Sequence, residues 1–307
     1  PEIQGTVSEN DAGLEITVAG QPIAATNNAN GTWTLADNAS TSIVDGTYNV
    51  WATATDLAGN LGTDTNVDEL TIDTVAPATP STPDLVWSSD TGISTTDDFT
   101  ADSTPTLAGS ADPGSVVEIF DDATSLGLVT TDVGGAWLFT APSLGDGIHT
   151  LTAVATDPSG NVSAASPSLT ITVDTAAALV TVDSLVTNDS SPELTGTVDE
   201  NSAVVRVKVA GQSYTATNNT DGTWTLADDV LAGIADGTYD VSVTATDAAE
   251  NVGADTTASE LEIDTMAPIV SVDELVTNDT TPELTGSVDD AIAVVSVTVA
   301  GQTHSAT

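Results

Sequence analysis

The chain has 307 residues and carries 46 Asp and Glu against two Lys and Arg, for a formal charge of −44. That balance excludes a nucleic-acid binder, which needs cationic side chains to displace phosphate counterions, and it leaves no polybasic segment to dock on an anionic membrane. With 39% apolar but only 4% aromatic residues and no Cys, any core is aliphatic and is braced by neither disulfides nor thiolate zinc, which leaves oxygen-ligated divalent cations as the available staple.

The first element is a block over residues 1–74 (PEIQGTVSEN…DGTYNVWATATDLAGN…DELTIDT), which aligns without a gap to residues 192–265 (PELTGTVDEN…DGTYDVSVTATDAAEN…SELEIDT), 191 residues further on. Residues 75–175 are a more divergent copy that keeps TPTLAGSADPG, GGAW, DGIHTLTAVATDPSGN and SLTITVDT. Its start is longer: Pro77 and Pro105 are 28 positions apart where Pro268 and Pro282 are 14 apart, and the extra segment reads WSSDTGISTTDDFTAD. Residues 176–265 form the next copy, and 266–307 begin another that stops at the position equivalent to Thr26. The expectation is a slice from a much longer chain. Its first domain (1–74) lacks an opening strand, a second (75–175) carries an acidic insertion, a third (176–265) is whole, and a fourth (266–307) is truncated.

Within each copy apolar residues alternate with period two, as at Val205, Val207 and Val209, between clusters of Gly, Asn and Asp. In the third copy this predicts strands near 179–184, 192–198, 203–210, 212–217, 223–227, 238–246 and 258–264. Seven short strands in about 90 residues suit an immunoglobulin-type sandwich, so the fold class is all-β, a tandem array of immunoglobulin-like seven-stranded β-sandwich domains. Trp33, Trp137 and Trp224 recur after a Gly turn and are expected in the cores rather than on a carbohydrate platform. Tyr48 and Tyr239 follow Asp-Gly-Thr where such sandwiches place a corner tyrosine whose hydroxyl bonds nearby backbone, and His149 takes that place in the second copy.

Immunoglobulin-type winding brings two loops and the incoming chain to the same end of each sandwich. Asp73, Asp112, Asp157 and Asn161 are therefore expected to converge where the first domain meets the second, and Asp174, Asp199, Asp247 and Asn251 where the second meets the third. Converging Asp and Asn oxygens without Lys or Arg suit Ca2+, which takes six to eight oxygen ligands in irregular geometry, better than Mg2+. Each DxxGN loop also reads as a simple turn in which Asp and Asn bond their own backbone, and the remaining acids as solvation or as adaptation to high salt. Asp264 with Asp289, and Asp56 with Asn60, are partial sets at the two ends of the array. The insertion adds a separate cluster of Asp90, Asp97, Asp98 and Asp102.

The recurring DGTY/DGIH…ATDxxGN…IDTxAP pattern resembles the bacterial Ig-like repeats of giant RTX-type and Bap-like adhesins of Gram-negative bacteria, over essentially the whole chain. The resemblance implies a stalk that is exported by a type I system, projects a binding domain from the cell surface in adhesion and biofilm formation, and stiffens when calcium fills its interdomain sites. In that family the DxxGN loop and the DTxAP linker supply ligands, which here map to Asp157, Asn161, Asp73, Asp247, Asn251 and Asp174. Two departures stand out. The second linker reads DTAAA without Pro, and DAAEN has Glu250 in place of Gly, so that Asn251 is displaced or Glu250 becomes a ligand.

The leading expectation is thus an extracellular structural extender whose partners are neighbouring repeats of the same chain, with no nucleic acid and no direct membrane insertion. A self-associating fibre or matrix of further copies is the first alternative. A ligand-binding module using Trp51, Trp87 and the insertion is the second. An enzyme is disfavoured: His149 and His304 do not recur at equivalent positions, and G-x-S-x-G, H-E-x-x-H and phosphate-loop motifs are absent.

Overall fold

A computed structural model describes residues 2–37 and 39–306. Every regular element among them is a β-strand, and no helix is long and apolar enough to cross a membrane. The chain divides into two compact units, residues 1–90 with 95–174 and residues 91–94 with 175–307.

Alternation of Val, Ile, Leu and Ala with Thr and acidic residues puts one face of each strand inside. The third sandwich shows it plainly: along Val204–Val209 exposed and buried residues alternate without a break. One of its layers pairs Leu194–Thr197 with Thr223–Leu226 and Thr217–Asn218, and the other pairs Gln212–Thr215, Val204–Val209, Ser242–Thr246 and Val252–Ala254. The second sandwich has a three-stranded layer of Asp84–Leu85, Thr106–Ser110 and Ala136–Thr140. Facing it are five strands in the order Phe99–Thr100, Leu169–Val173, Gly147–Thr156, Val116–Asp121 and Thr124–Thr130. The first sandwich repeats the plan with Ile3–Thr6, Thr32–Leu35 and Thr26–Asn27 opposite a layer centred on Gly13–Val18 and Val50–Thr55.

The tryptophans are core residues: Trp33, Trp137 and Trp224 are 6%, 3% and 0% exposed. Each lies directly across the ladder from a glycine, namely Gly5, Gly109 and Gly196. A Cβ on these glycines would come within 2.6, 2.2 and 2.6 Å of the facing indole, so the ring packs flat over backbone that only Gly leaves clear. The corner reading also holds. Tyr48 and Tyr239 donate to Val44 O and Ala235 O at 2.9 Å, and His149 Nε2 makes the equivalent bond to Gly145 O at 2.9 Å.

The opening strand differs from its expected form. Residues 179–184 do not make one continuous ladder. Thr181 N and Asp183 N bond Thr197 O and Thr195 O in one layer, and Leu185–Thr187 then pairs parallel with Leu261–Ile263 in the other. In the second sandwich the same change of layer separates Asp84–Leu85 from Phe99–Thr100, and the insertion occupies the crossing between them.

Candidate metal centre

The DxxGN segment closes a hairpin after the long strand of each sandwich. In the first, Asp56 N and Asn60 O bond at 3.1 Å, while Asp56 accepts from Asn60 N and Asn60 Nδ2, both at 2.7 Å. Asp157 with Asn161 and Asp247 with Asn251 repeat the arrangement at 2.8–2.9 Å. The side-chain amide of Asn60, and of Asn161, is the main reason that the Asp56 and Asp157 carboxyls lie below the ordinary carboxylate range. All three loops are therefore self-bonded turns, and those of Asp56 and Asp157 favour the charged carboxylate.

Gly59 and Gly160 turn the chain with φ of 88° and 90°, and Glu250 adopts φ of 70° at the same place. Asn251 is therefore not displaced. The loop keeps its geometry, and the cost is moved onto a left-handed non-glycine residue.

At the linker, residues 73–78, hydrogen bonds join three of the sequence-predicted residues, while Asp112 bonds the linker further along. Asn161 Nδ2 donates both to Asp157 Oδ2 at 2.9 Å and to the backbone O of Asp73 at 3.0 Å, joining the loop to a residue 88 positions earlier. Asp73 Oδ1 accepts Val75 N at 3.0 Å, and Asp112 Oδ2 accepts Ala78 N at 2.9 Å, so both acids grip the linker. Asp73 Oδ2 and Asp112 Oδ1 accept no hydrogen bond from the described residues. The donors gathered here are carboxylate, amide and backbone oxygens with no imidazole or thiolate, the set that suits calcium.

Asp199 and Asp289 do for the third and fourth copies what Asp112 does for the second: they accept Leu179 N and Ile269 N, each at 2.7 Å. Asp264 accepts Met266 N at 3.0 Å in the manner of Asp73, and Asp174 N donates to Thr100 O at 2.9 Å. One acid escaped the sequence reading. Glu200, next to Asp199, offers a carboxylate oxygen within 4.8 Å of one on Asp247, which is 1% exposed. Only the loop conformation, invisible in the repeat pattern, selects Glu200 over its neighbour.

In the insertion, burial first and then the charges of Asp97, Asp98 and Asp84 push the Asp90 carboxyl above its ordinary range. Burial, Asp84 and Asp97 do the same to Asp98. Asp102 accepts Ser89 Oγ at 3.0 Å and Thr104 N at 2.8 Å.

The model of the bacterial Ig-like domain matches residues 1–74, 77–175 and 181–265. No curated protein matches the chain. Among solved structures, one described as a Ca2+-stabilized adhesin that helps an Antarctic bacterium reach out and bind ice is 23% identical, with 99% of this chain and 82% of that one covered and a TM-score of 0.38. A tetra-tandem repeat from the extending region of a large adhesion protein is 25% identical over 100% and 86%, with a TM-score of 0.32. The BSP domain of a biofilm-associated protein is 22% identical over 57% and 28%, with a TM-score of 0.24.

Proposed function

Because the chain belongs to the bacterial Ig-like domain family, we propose that it is a stalk segment of a secreted bacterial surface adhesin, stiffened by calcium at the junctions between its sandwiches. The observation that carries this reading is the Asn161 amide, placed between Asp157 Oδ2 and Asp73 O and tying the hairpin of one repeat to the exit of the one before. Asp73, Asp112, Asp157 and Asn161 would hold the ion, with the amide turned to present Oδ1. The same residue types recur in sequence at Asp174, Asp199, Asp247 and Asn251.

A calcium ion supplies the positive charge that gathered carboxylates need in order to stay close. The chain does the rest. Asp73 and Asp112 fix the linker through Val75 N and Ala78 N, and Asp157 is kept ionised by its own turn. Each repeat is a separate sandwich with its own buried cluster, so reach grows by duplication. Such an array has its neighbours in the same chain as partners and works outside the cell without catalysing a reaction.

Small-angle scattering of the whole chain tests the reading. A long, rigid particle is expected in calcium, turning flexible and shorter on average in excess chelator. An identical profile in both conditions overturns calcium as the stiffener.

A further inference from the structure

The four-stranded layer of the third sandwich turns one face to the core and the other to solvent. On the strand Val204–Val209 the side chains of Val205, Val207 and Val209 are buried, which leaves Arg206 and Lys208 side by side on the outer face. They are the two Lys and Arg residues of the whole chain, against 46 acids. Across the ladders Arg206 is flanked by Thr215 and Thr244, and Lys208 by Ser213 and Ser242. No strand of this layer contains an acidic residue. Among the described residues neither cation has an ion-pair or side-chain hydrogen-bond partner. Two unpaired cations on a flat, acid-free face ringed by short hydroxyl side chains leave room for an acidic partner to lie against them.

The first sandwich carries the complement. In its strand Gly13–Val18, Glu15 stands where Arg206 does: Glu15 lies across from Thr53, three residues before Asp56, and Arg206 across from Thr244, three residues before Asp247. Glu15 is exposed, is the one acid in the four strands of its layer, and has no partner among the described residues. Beside it, Trp51 lies across from Thr17 as Ser242 does from Lys208, and it is 52% exposed. The second sandwich has Glu118 at the position of Glu15, but there Ser125 Oγ already donates to the carboxylate at 2.6 Å.

We propose that the outer sheet face at Arg206 and Lys208 docks on the outer face at Glu15 and Trp51 of a second copy of this chain, so that copies associate laterally. The two faces belong to repeats of one sheet. Laid together about an axis along Val204–Val209 and Gly13–Val18, at the roughly 10 Å of packed sheets, they set Arg206 opposite Glu15 and Trp51 one strand away from Lys208. The guanidinium fork then takes the carboxylate, and the ammonium lies over the indole. Four strands of this length offer roughly 400 Å² of face, about half of what each partner gives to a standard interface. One such contact is weak, and association builds up because each copy carries both faces. The contact uses no residue of the linker cluster, so it stands whether or not calcium stiffens the array.

Sedimentation velocity of the full chain over a concentration series, at fixed calcium and about 0.15 M salt to screen the like net charges of the copies, tests the proposal. The wild type is expected to associate reversibly at concentrations up to about 1 mM. Arg206→Glu and Glu15→Arg should each weaken association about tenfold or more, and Trp51→Ser about threefold. All three side chains are exposed, so circular dichroism should report an unchanged fold. An equimolar mixture of Arg206→Glu with Glu15→Arg should associate again, because the two reversed faces match each other. A wild type that stays monomeric overturns the proposal, as does association indifferent to either charge reversal, or a mixture that stays apart. Retention of a monomeric wild type on an immobilised polyuronate, lost in Arg206→Glu, assigns the basic face to an acidic glycan and overturns it too.

Discussion

Residues 1–74 and 192–265 align without a gap, yet the cores they bury differ. The third sandwich closes a cluster of 17 buried residues, whereas the first closes five. Leu261 is fully buried and its counterpart Leu70 only partly; Val243 and Ala245 are fully buried and Ala52 and Ala54 are not. The cause lies outside the aligned window. In the third sandwich the incoming segment lies so close that a Cβ on Gly253 or Gly196 would fall 1.7 Å from Ala178 O or 2.0 Å from Thr181 O. In the first, the matching Gly62 and Gly5 border an open groove of about 740 Å³ that also reaches Leu14, Trp33 and Leu70. Burial of the same residue type at the same strand position is thus decided by a segment distant in sequence, and an apolar pattern states only which face would be covered.

The comparison is broken most severely at its tryptophans. Trp224 is enclosed and bonds Thr181 O through Nε1 at 2.8 Å, so Trp224→Ala is expected to cost about 4 kcal/mol in denaturant unfolding, against about 2 kcal/mol for Trp33→Ala beside the groove. Equal losses would show that the groove does not matter to the first core. Replacing residues 178–183 with Gly and Ser should open the same groove in the third sandwich and destabilise it by about 3 kcal/mol. A melting transition that stays where it was would refute the account.

A smaller contrast lies in the hairpins DLAGN and DAAEN. Relief of the left-handed conformation makes Glu250→Gly stabilising by about 1 kcal/mol, and Gly59→Glu destabilising by a similar amount, both read from thermal unfolding. The smallest effect concerns the corner. Both ring nitrogens of His149 face acceptors, Gly145 O at 2.9 Å and Asp121 Oδ2 at 2.7 Å. Partial burial opposes its charge, but these two bonds and the Asp121 and Asp122 charges outweigh it and raise its pKa above the usual histidine value of 6.5. A raised folded pKa gives stabilisation that is complete below the unfolded value and fades as pH climbs through the folded one. The second sandwich should therefore lose melting temperature relative to the third as pH rises from below 6.5 through the raised pKa of His149, and His149→Tyr should abolish that relative shift. Parallel melting of both across this range would sink the explanation.

Much of this was legible in sequence because it repeats. The Gly-facing tryptophans, the corner residues at 48, 149 and 239, and the Asp/Asn pairing of the hairpins all recur at fixed spacing and depend on local geometry. What stayed hidden depends on three-dimensional closure. The opening strand divides between two layers because each half finds its partner far along the chain, and period-two alternation does not mark the change. Glu200 rather than Asp199 reaches Asp247, because side-chain direction in a loop follows from backbone dihedrals that composition does not report. The same holds for Glu250, whose positive φ is set by the hairpin around it.

That division of the opening strand bears on how the array carries tension. In the second and third sandwiches the incoming strand runs parallel to the outgoing one, Phe99–Thr100 beside Thr172–Val173 and Leu185–Thr187 beside Leu261–Ile263. Pulling the chain from its two ends slides such a pair lengthwise, so its hydrogen bonds are sheared together instead of being unzipped in turn. Under flow, the second and third sandwiches should therefore hold until a whole row of bonds fails at once.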